Sequence, residues 1–317
     1  MLPILVPWNF IAAEPCVFPS IRRYFRSDAP RRPRRGMAAW LGHHAARLSY
    51  AVLVEPTWLE LNRLRIGFDS DATTRGLRIV QLSDFHFQKR VPRKYIERCV
   101  QAANAEQPDL IALTGDYVHK GHRYVEAIAD LLAQLSAPLG VYAVLGNHDH
   151  AIRNALGFRR YPSLHKRVAQ SLTARGIRVL HNELLRVQLD GVEYQISGVD
   201  DLWSRRCLPD VALAELDPAL PHVMLAHHPR TIELLGGKRC DLMLSGHTHG
   251  GQIHSHRFGS VLLGKKMKPY AAGLCHHDGH RLYVNKGVGF GVKIRYNRRP
   301  EIAIFELAPQ PANPPSP

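Results

Sequence analysis

The sequence predicts an α/β fold, a mixed sandwich in which parallel-type strands and antiparallel hairpins share one chain. Three observations carry this. Short apolar runs recur at Leu77–Leu82 and at residues 110–113, 141–145, 223–226 and 241–244. Most lack polar alternation, as strands buried on both faces do. Helical stretches follow the early runs: residues 92–106, opening with Pro92 near the first turn, then 127–135 and 163–175. That is a βαβ rhythm. Two hairpin signals come later. Leu185, Val187 and Leu189 alternate with Arg186 and Gln188, Asp190-Gly191 makes the turn, and Val192, Tyr194 and Ile196 alternate on the return; residues 277–284 repeat the pattern around Asp278-Gly279.

With 317 residues, 45% apolar and 22% charged, the chain can bury a sizeable core and is neither wholly disordered, collagenous nor a coiled coil. The expected organisation is a basic extension over residues 1–49, flexible or membrane-associated, a globular domain over 50–308 and a Pro-rich tail over 309–317. The extension opens on an apolar stretch, residues 1–13, interrupted by Pro3, Pro7 and Asn9. A disordered tail upstream of a start at Met37, a signal sequence and an interfacial segment all fit it. Arg22, Arg23, Arg26, Arg31, Arg32, Arg34, Arg35 and Arg47 stand there against Glu14 and Asp28. A twin-arginine export signal at Arg22-Arg23 or Arg31-Arg32 would need a following apolar region, which His43, His44 and Arg47 break. The cytoplasmic face is therefore favoured over export. No uninterrupted apolar run of about 18 residues exists, so no standard transmembrane helix is predicted.

The charge balance, 42 Lys and Arg against 27 Asp and Glu, gives +15 and favours anionic partners: nucleic acid, acidic phospholipid or a phosphorylated substrate. No helix-turn-helix, zinc-finger or RRM signature accompanies it, so specific nucleic-acid binding is not expected. The cysteines (Cys16, Cys99, Cys207, Cys240, Cys275) are odd in number and form no CxxC, which excludes a disulfide framework and argues against a thiolate zinc site.

Chemistry enters where the apolar runs end. The first gives Ser83-Asp84-Phe85-His86, with Asp84 and His86 two apart and able to face one ion in extended chain. The others give Gly115-Asp116, Gly146-Asn147-His148-Asp149, His227-His228 and Gly246-His247-Thr248-His249. Strand C-termini of an α/β sheet gather at one edge, where ligands bind. A single Asp-x-His or Gly-Asp is more often a turn. Five such endings in series are another matter, because burying so many carboxylates and imidazoles without a counter-ion is costly. The mixed oxygen and nitrogen donors suit Mn²⁺, Fe or Zn²⁺. One carboxylate bridging two ions at about 3.5–4 Å makes a two-metal hydrolase centre.

In that order, D-x-H (Asp84, His86), G-D (Asp116), G-N-H-D (Gly146 to Asp149), H (His227) and G-H-T-H (Gly246 to His249) resemble the calcineurin-like metallophosphoesterase superfamily over about residues 75–290. LAHHP at residues 225–229, SGHTHGGQ at 245–252, NKGVGFGVKIRYNRRPEI at 285–302 and the stretch 50–66 resemble a bacterial envelope-associated branch. That branch includes phosphodiesterases and relatives that cleave the pyrophosphate of UDP-diacylglucosamine in lipid A synthesis. The resemblance implies a four-layer α/β/β/α sandwich of two mixed sheets and two divalent ions, Mn²⁺ first. Asp84, His86, Asp116 and His249 would hold one ion; Asp116, Asn147, His227 and His247 would hold the other. It implies hydrolysis by a metal-activated hydroxide, with His148 as proton donor and Asp149 orienting its imidazole. The implied substrate is a phosphodiester or pyrophosphate, lipid-linked as in UDP-diacylglucosamine; the basic N-terminal arm and the Lys and Arg near the C-terminus suggest peripheral docking on an anionic membrane. A soluble phosphodiesterase acting on nucleotides or small diesters is the alternative.

Other residues stay open. His228 faces substrate, supports a neighbouring ligand or is a strand-end surface residue. His150 and His254 are candidates to line the pocket. Lys265, Lys266 and Lys268, with the basic stretch 293–299, bind phosphate, a headgroup or the leaflet, or form a solvated face. Trp203 and Phe290 contact an acyl or base moiety, or are core.

Overall fold

A computed structural model describes residues 37–69, 76–152, 161–255 and 259–310. The strands are β1 (Glu60–Asp69), β2 (Leu77–Leu82), β3 (Leu110–Thr114), β4 (Val141–Val144), β5 (Arg178–Val179), β6 (Glu183–Leu189), β7 (Val192–Gly198), β8 (His222–Leu225), β9 (Leu242–Ser245), β10 (His254–Ser255), β11 (Gly259–Ser260), β12 (Gly273–His277), β13 (His280–Val284) and β14 (Glu301–Gln310). The helices are α1 (Met37–Ser49), α2 (Arg93–Ala105), α3 (Val125–Leu132), α4 (Leu164–Thr173) and the short α5 (Pro209–Ala212).

Two six-stranded mixed sheets result. One has the order β1-β14-β2-β3-β4-β5, with only the β14–β2 pair antiparallel; the other runs β12-β13-β9-β8-β7-β6, parallel at its centre and antiparallel at both edges. Strand periodicity decides the layers. Leu77, Ile79, Leu110 and Ala112 of the first sheet meet Val223, Leu225, Leu242 and Leu244 of the second in one fully buried cluster. The alternate residues Val80, Leu82, Ile111 and Leu113 face α2, α3 and α4. Met224, Met243, Leu282 and Val284 pack under α5 and a 3₁₀ turn at Pro229–Leu234. Central strands buried on both faces explain the unbroken apolar runs. The architecture is the four-layer sandwich, with a thin outer layer on the second sheet.

The outermost elements depart from the sequence reading. β1 and β14, ten residues each, pair along their whole length and close one edge of the first sheet. β14 continues to Gln310, past the expected start of the Pro-rich tail at 309. Met37 opens α1, inside the expected extension. The apolar opening and the arginines of residues 22–35 lie outside the described residues, as does 311–317. Among the described residues no helix is long and apolar enough to cross a membrane.

Candidate metal centre

The C-terminal ends of β2, β3, β4, β8 and β9 converge, as the sequence predicts, and the side chains that follow them form one buried cluster. His86 Nε2 lies 2.8 Å from His249 Nε2, 3.9 Å from Asp84 Oδ1 and 3.4 Å from Asp116 Oδ2. His249 Nε2 is 3.4 Å from Asp84 Oδ1. On the other side, His227 Nε2 is 3.4 Å from the same Asp116 Oδ2 and 3.2 Å from Asn147 Oδ1. His247 Nδ1 is 2.9 Å from Asn147 Oδ1 and 3.3 Å from His227 Nε2. The seven residues thus form one cluster, with Asp116 between His86 on one side and His227 on the other.

The backbone is bent to achieve this. Asp84, His86, Asp116, His247 and His249 all sit at positive φ, between 41° and 75°. Each such conformation costs a non-glycine residue about 1–3 kcal/mol and persists where the surroundings over-determine it. Glycines let the loops close on one another. A Cβ on Gly246 would lie 2.0 Å from Ser83 Oγ and 2.2 Å from Asp84 Oδ2, and one on Gly146 would lie 2.2 Å from Asp116 Oδ1. Gly146 and Gly246 are needed because carboxylates occupy the space of a side chain, and Gly115, at φ +90°, because the Gly146 backbone and the His227 ring do.

Electrostatics matches a cation site. Burial holds His86, His247 and His249 well below the usual histidine range, so their lone pairs are free for a cation. Burial pushes Asp84 up to about 6. Burial also works to raise Asp116, but the imidazoles of His227, His148 and His86 outweigh it and hold that carboxyl well below its usual range. His227 is driven the other way: burial works to lower it, and Asp116, Asp84 and Asp201 raise it well above normal. His227 Nδ1 lies 2.7 Å from the Thr114 carbonyl, which can only accept, so Nδ1 carries a proton and Nε2 is the atom turned toward Asp116 and Asn147. Two buried carboxylates, an amide oxygen and four imidazoles meet within hydrogen-bond or ion-pair distance, and no Lys or Arg is salt-bridged to either carboxylate among the described residues. The donor set fits two divalent ions.

His148 stands beside this cluster. Its ring is 4.6 Å from that of His86, centre to centre, and its Nδ1 lies 2.8 Å from the His119 carbonyl, so Nδ1 is the donor and Nε2 is left for chemistry. Asp149 corrects the sequence reading. Its carboxylate accepts from the backbone N–H groups of Asp116 (2.8 Å), Gly146 (2.9 Å), Tyr117 (3.0 Å) and Val118 (3.4 Å). Both oxygens are spent on the two loops that carry Asp116 and Asn147, so it positions backbone and not the imidazole. Burial, then the charge of Asp116, pushes it up to about 8.

The open residues now have places. His228 is buried, accepts from the Arg230 N–H through Nδ1, and lies ring to ring 4.4 Å from His247. His150 is fully buried, its ring stacked on that of His165 and its Nε2 3.8 Å from Asp200 Oδ1. His254 accepts from Arg298. Phe290 is core, while Trp203 is half-buried and edge-on to His247 at 4.7 Å. Sequence reasoning missed Arg295. Sitting in a basic run that reads as a solvated face, it is fully buried and donates to the carbonyls of Lys286, Gly287 and Gly289 at 2.7–3.0 Å. That holds a loop whose Gly287 abuts Asp84. Only the aliphatic run and glycines of 285–295 hinted at it.

The family model "Calcineurin-like phosphoesterase" matches residues 77–251, and the chain belongs to that family. Three relatives cover most of it. Phosphodiesterase YaeI of Escherichia coli is 32% identical over 81% of this chain and 92% of its own length. The uncharacterized metallophosphoesterase YkuE of Bacillus subtilis is 32% identical, over 81% and 88%. UDP-2,3-diacylglucosamine pyrophosphatase LpxG of Chlamydia muridarum is 30% identical, over 81% and 92%. The protein is a metallophosphoesterase, a hydrolase of phosphoester bonds from a family with dinuclear metal centres.

Proposed function

We propose that the protein hydrolyses a phosphodiester or pyrophosphate bond of a lipid-linked substrate, with UDP-2,3-diacylglucosamine the first candidate, while docked peripherally on the cytoplasmic side of an anionic membrane. The observation that carries the hydrolase reading is Asp116 Oδ2, 3.4 Å from both His86 Nε2 and His227 Nε2. Asp84, His86, Asp116 and His249 would hold one ion, and Asp116, Asn147, His227 and His247 would hold the other. Mn²⁺ is the first ion to test, and Fe or Zn²⁺ is also compatible with these oxygen and nitrogen donors. When bound, the ions supply Lewis-acid charge to the phosphoryl oxygens and acidify water.

The chain's own groups do the rest. His148, fixed through Nδ1 on the His119 carbonyl, presents Nε2 to the reacting phosphate. Protonated, it neutralises developing charge and passes the Nε2 proton to the leaving oxygen. Asp149 keeps the Asp116 and Asn147 loops in register through its four backbone bonds. The lipid-linked substrate is supported by the relationship to LpxG and by the net charge of +15. A soluble phosphodiesterase is the second reading, favoured by the comparable identity to YaeI.

The test is turnover with Mn²⁺ of a chromogenic diester, a monoester, cyclic nucleotides and UDP-2,3-diacylglucosamine. Preference for the lipid-linked pyrophosphate supports the first reading. Nucleotide turnover far above it moves the assignment to the second, and full activity in a chelated, metal-free sample overturns both.

A further inference from the structure

We propose that a collar of exposed aliphatic and basic side chains around the metal centre is the surface that inserts into an anionic leaflet. This rests on the lipid-linked reading above and gives it a place on the molecule. The collar has three segments. Leu53 and Val54 follow α1, Val261 and Leu262 follow β11, and Val292 lies before β14; these five side chains are 48–65% exposed. The segments are stitched together. The Arg295 N–H donates to Ala51 O, the His254 N–H to Tyr296 O and the Val261 N–H to Ile253 O.

The same segments border the metal centre. Arg298 Nε and Ser260 Oγ both donate to the carbonyl of Gly250, the residue after ligand His249. Gly291, just before Val292, lies against the His119 ring, which stacks on His148 at 5.3 Å. α1 extends the surface, with Leu41 and Leu48 exposed.

The charge identifies the occupant. Residues 37–54, 253–268 and 291–299 contain no Asp or Glu. Lys265, Lys266 and Lys268 are exposed on the 3₁₀ turn Lys265–Tyr270, and Arg47 is exposed on α1. Single aliphatic side chains on separate loop tips, flanked by lysine without counter-charge, match an acidic headgroup layer over acyl chains. Docked this way, the centre would face the headgroup plane, where the phosphates of a lipid-linked substrate lie.

The test uses the full chain and sedimentation with phosphatidylcholine vesicles, with and without phosphatidylglycerol. Leu262→Glu and Val292→Glu are the variants, and Leu234→Glu, exposed on another 3₁₀ turn, is the control. The wild-type protein should prefer the anionic vesicles. Each collar variant should lose at least about tenfold in partitioning, the scale of one apolar side chain left in water, while the control does not. Turnover of a soluble chromogenic diester should stay within about twofold of wild type, since neither residue is a metal ligand. Collar variants that partition like the wild type overturn the proposal, as does wild-type binding that ignores phosphatidylglycerol. Light scattering in which the same variants convert a dimer to monomer assigns the face to a second copy and also overturns it. Loss of the hydrolase reading would appear separately, as no diester turnover by the wild-type protein.

Discussion

Gly246→Ala places one methyl group against the metal centre. The added Cβ would lie 2.2 Å from Asp84 Oδ2 and 2.0 Å from Ser83 Oγ. Real Cβ contacts do not come closer than 3.0 Å, so the carboxylate must retreat by at least 3.0 − 2.2 = 0.8 Å. Gly246 is not at positive φ, so alanine strains no backbone and the effect is the collision alone. Asp84 has little room: its oxygens accept from Ser83 Oγ at 2.6 Å and from the His247 N–H at 3.0 and 3.1 Å. Overpacking of this kind costs about 1–3 kcal/mol. A misplacement near 1 Å at reacting groups costs about 10²-fold in rate. The expected result is a folded protein with a slightly lowered melting temperature, about one ion per chain, and kcat on a chromogenic diester reduced about 100-fold. Ser83→Ala, which removes one hydrogen bond from Asp84 without a collision, should cost about tenfold or less. Elemental analysis, thermal denaturation and steady-state kinetics with Mn²⁺ read all three quantities. A Gly246→Ala protein with two ions and wild-type turnover would refute the assignment of Asp84 as a ligand.

In the proposed mechanism His148→Ala would remove a proton donor and no metal bond, so turnover should fall by about 10²–10⁴ with metal content unchanged; wild-type rates on a substrate with a poor leaving group would remove it from the mechanism. Asp149→Ala leaves four backbone N–H groups without their acceptor and should lower both melting temperature and metal content, whereas a loss of kcat alone would return it to an imidazole-orienting role. Burial holds His222 down at about 4, with Nδ1 donating to the Arg239 carbonyl and Nε2 accepting from Ser197. Between about pH 6.5 and that value the unfolded chain binds the extra proton, so stability falls as pH drops through this window, by about 2 kcal/mol between pH 7 and 5. Urea midpoints should show a smaller acid loss in His222→Gln, and equal slopes would refute the argument.

The sequence determined the parts that local chemistry controls. Apolar runs of strand length, glycines before polar residues and Asp-Gly turns placed β2, β3, β4, β8 and β9, the two hairpins and the seven candidate ligands, because each signal lies within a few neighbouring residues. The family resemblance implied how those ligands would group around Asp116, and the tertiary structure adds that Asp116 Oδ2 lies 3.4 Å from both His86 and His227. Other features depend on partners far apart in the chain. β1 carries charged residues and becomes the edge strand because about 240 residues later the chain returns as β14, which pairs with β1 on one side and β2 on the other. Arg295 reads as one more surface charge until the loop 286–289 folds over it and supplies carbonyls for its guanidinium. Asp149, next to His148 in sequence, is taken up by four backbone N–H groups from two converging loops. A carboxylate goes where the most donors meet, and only the packed structure decides where that is.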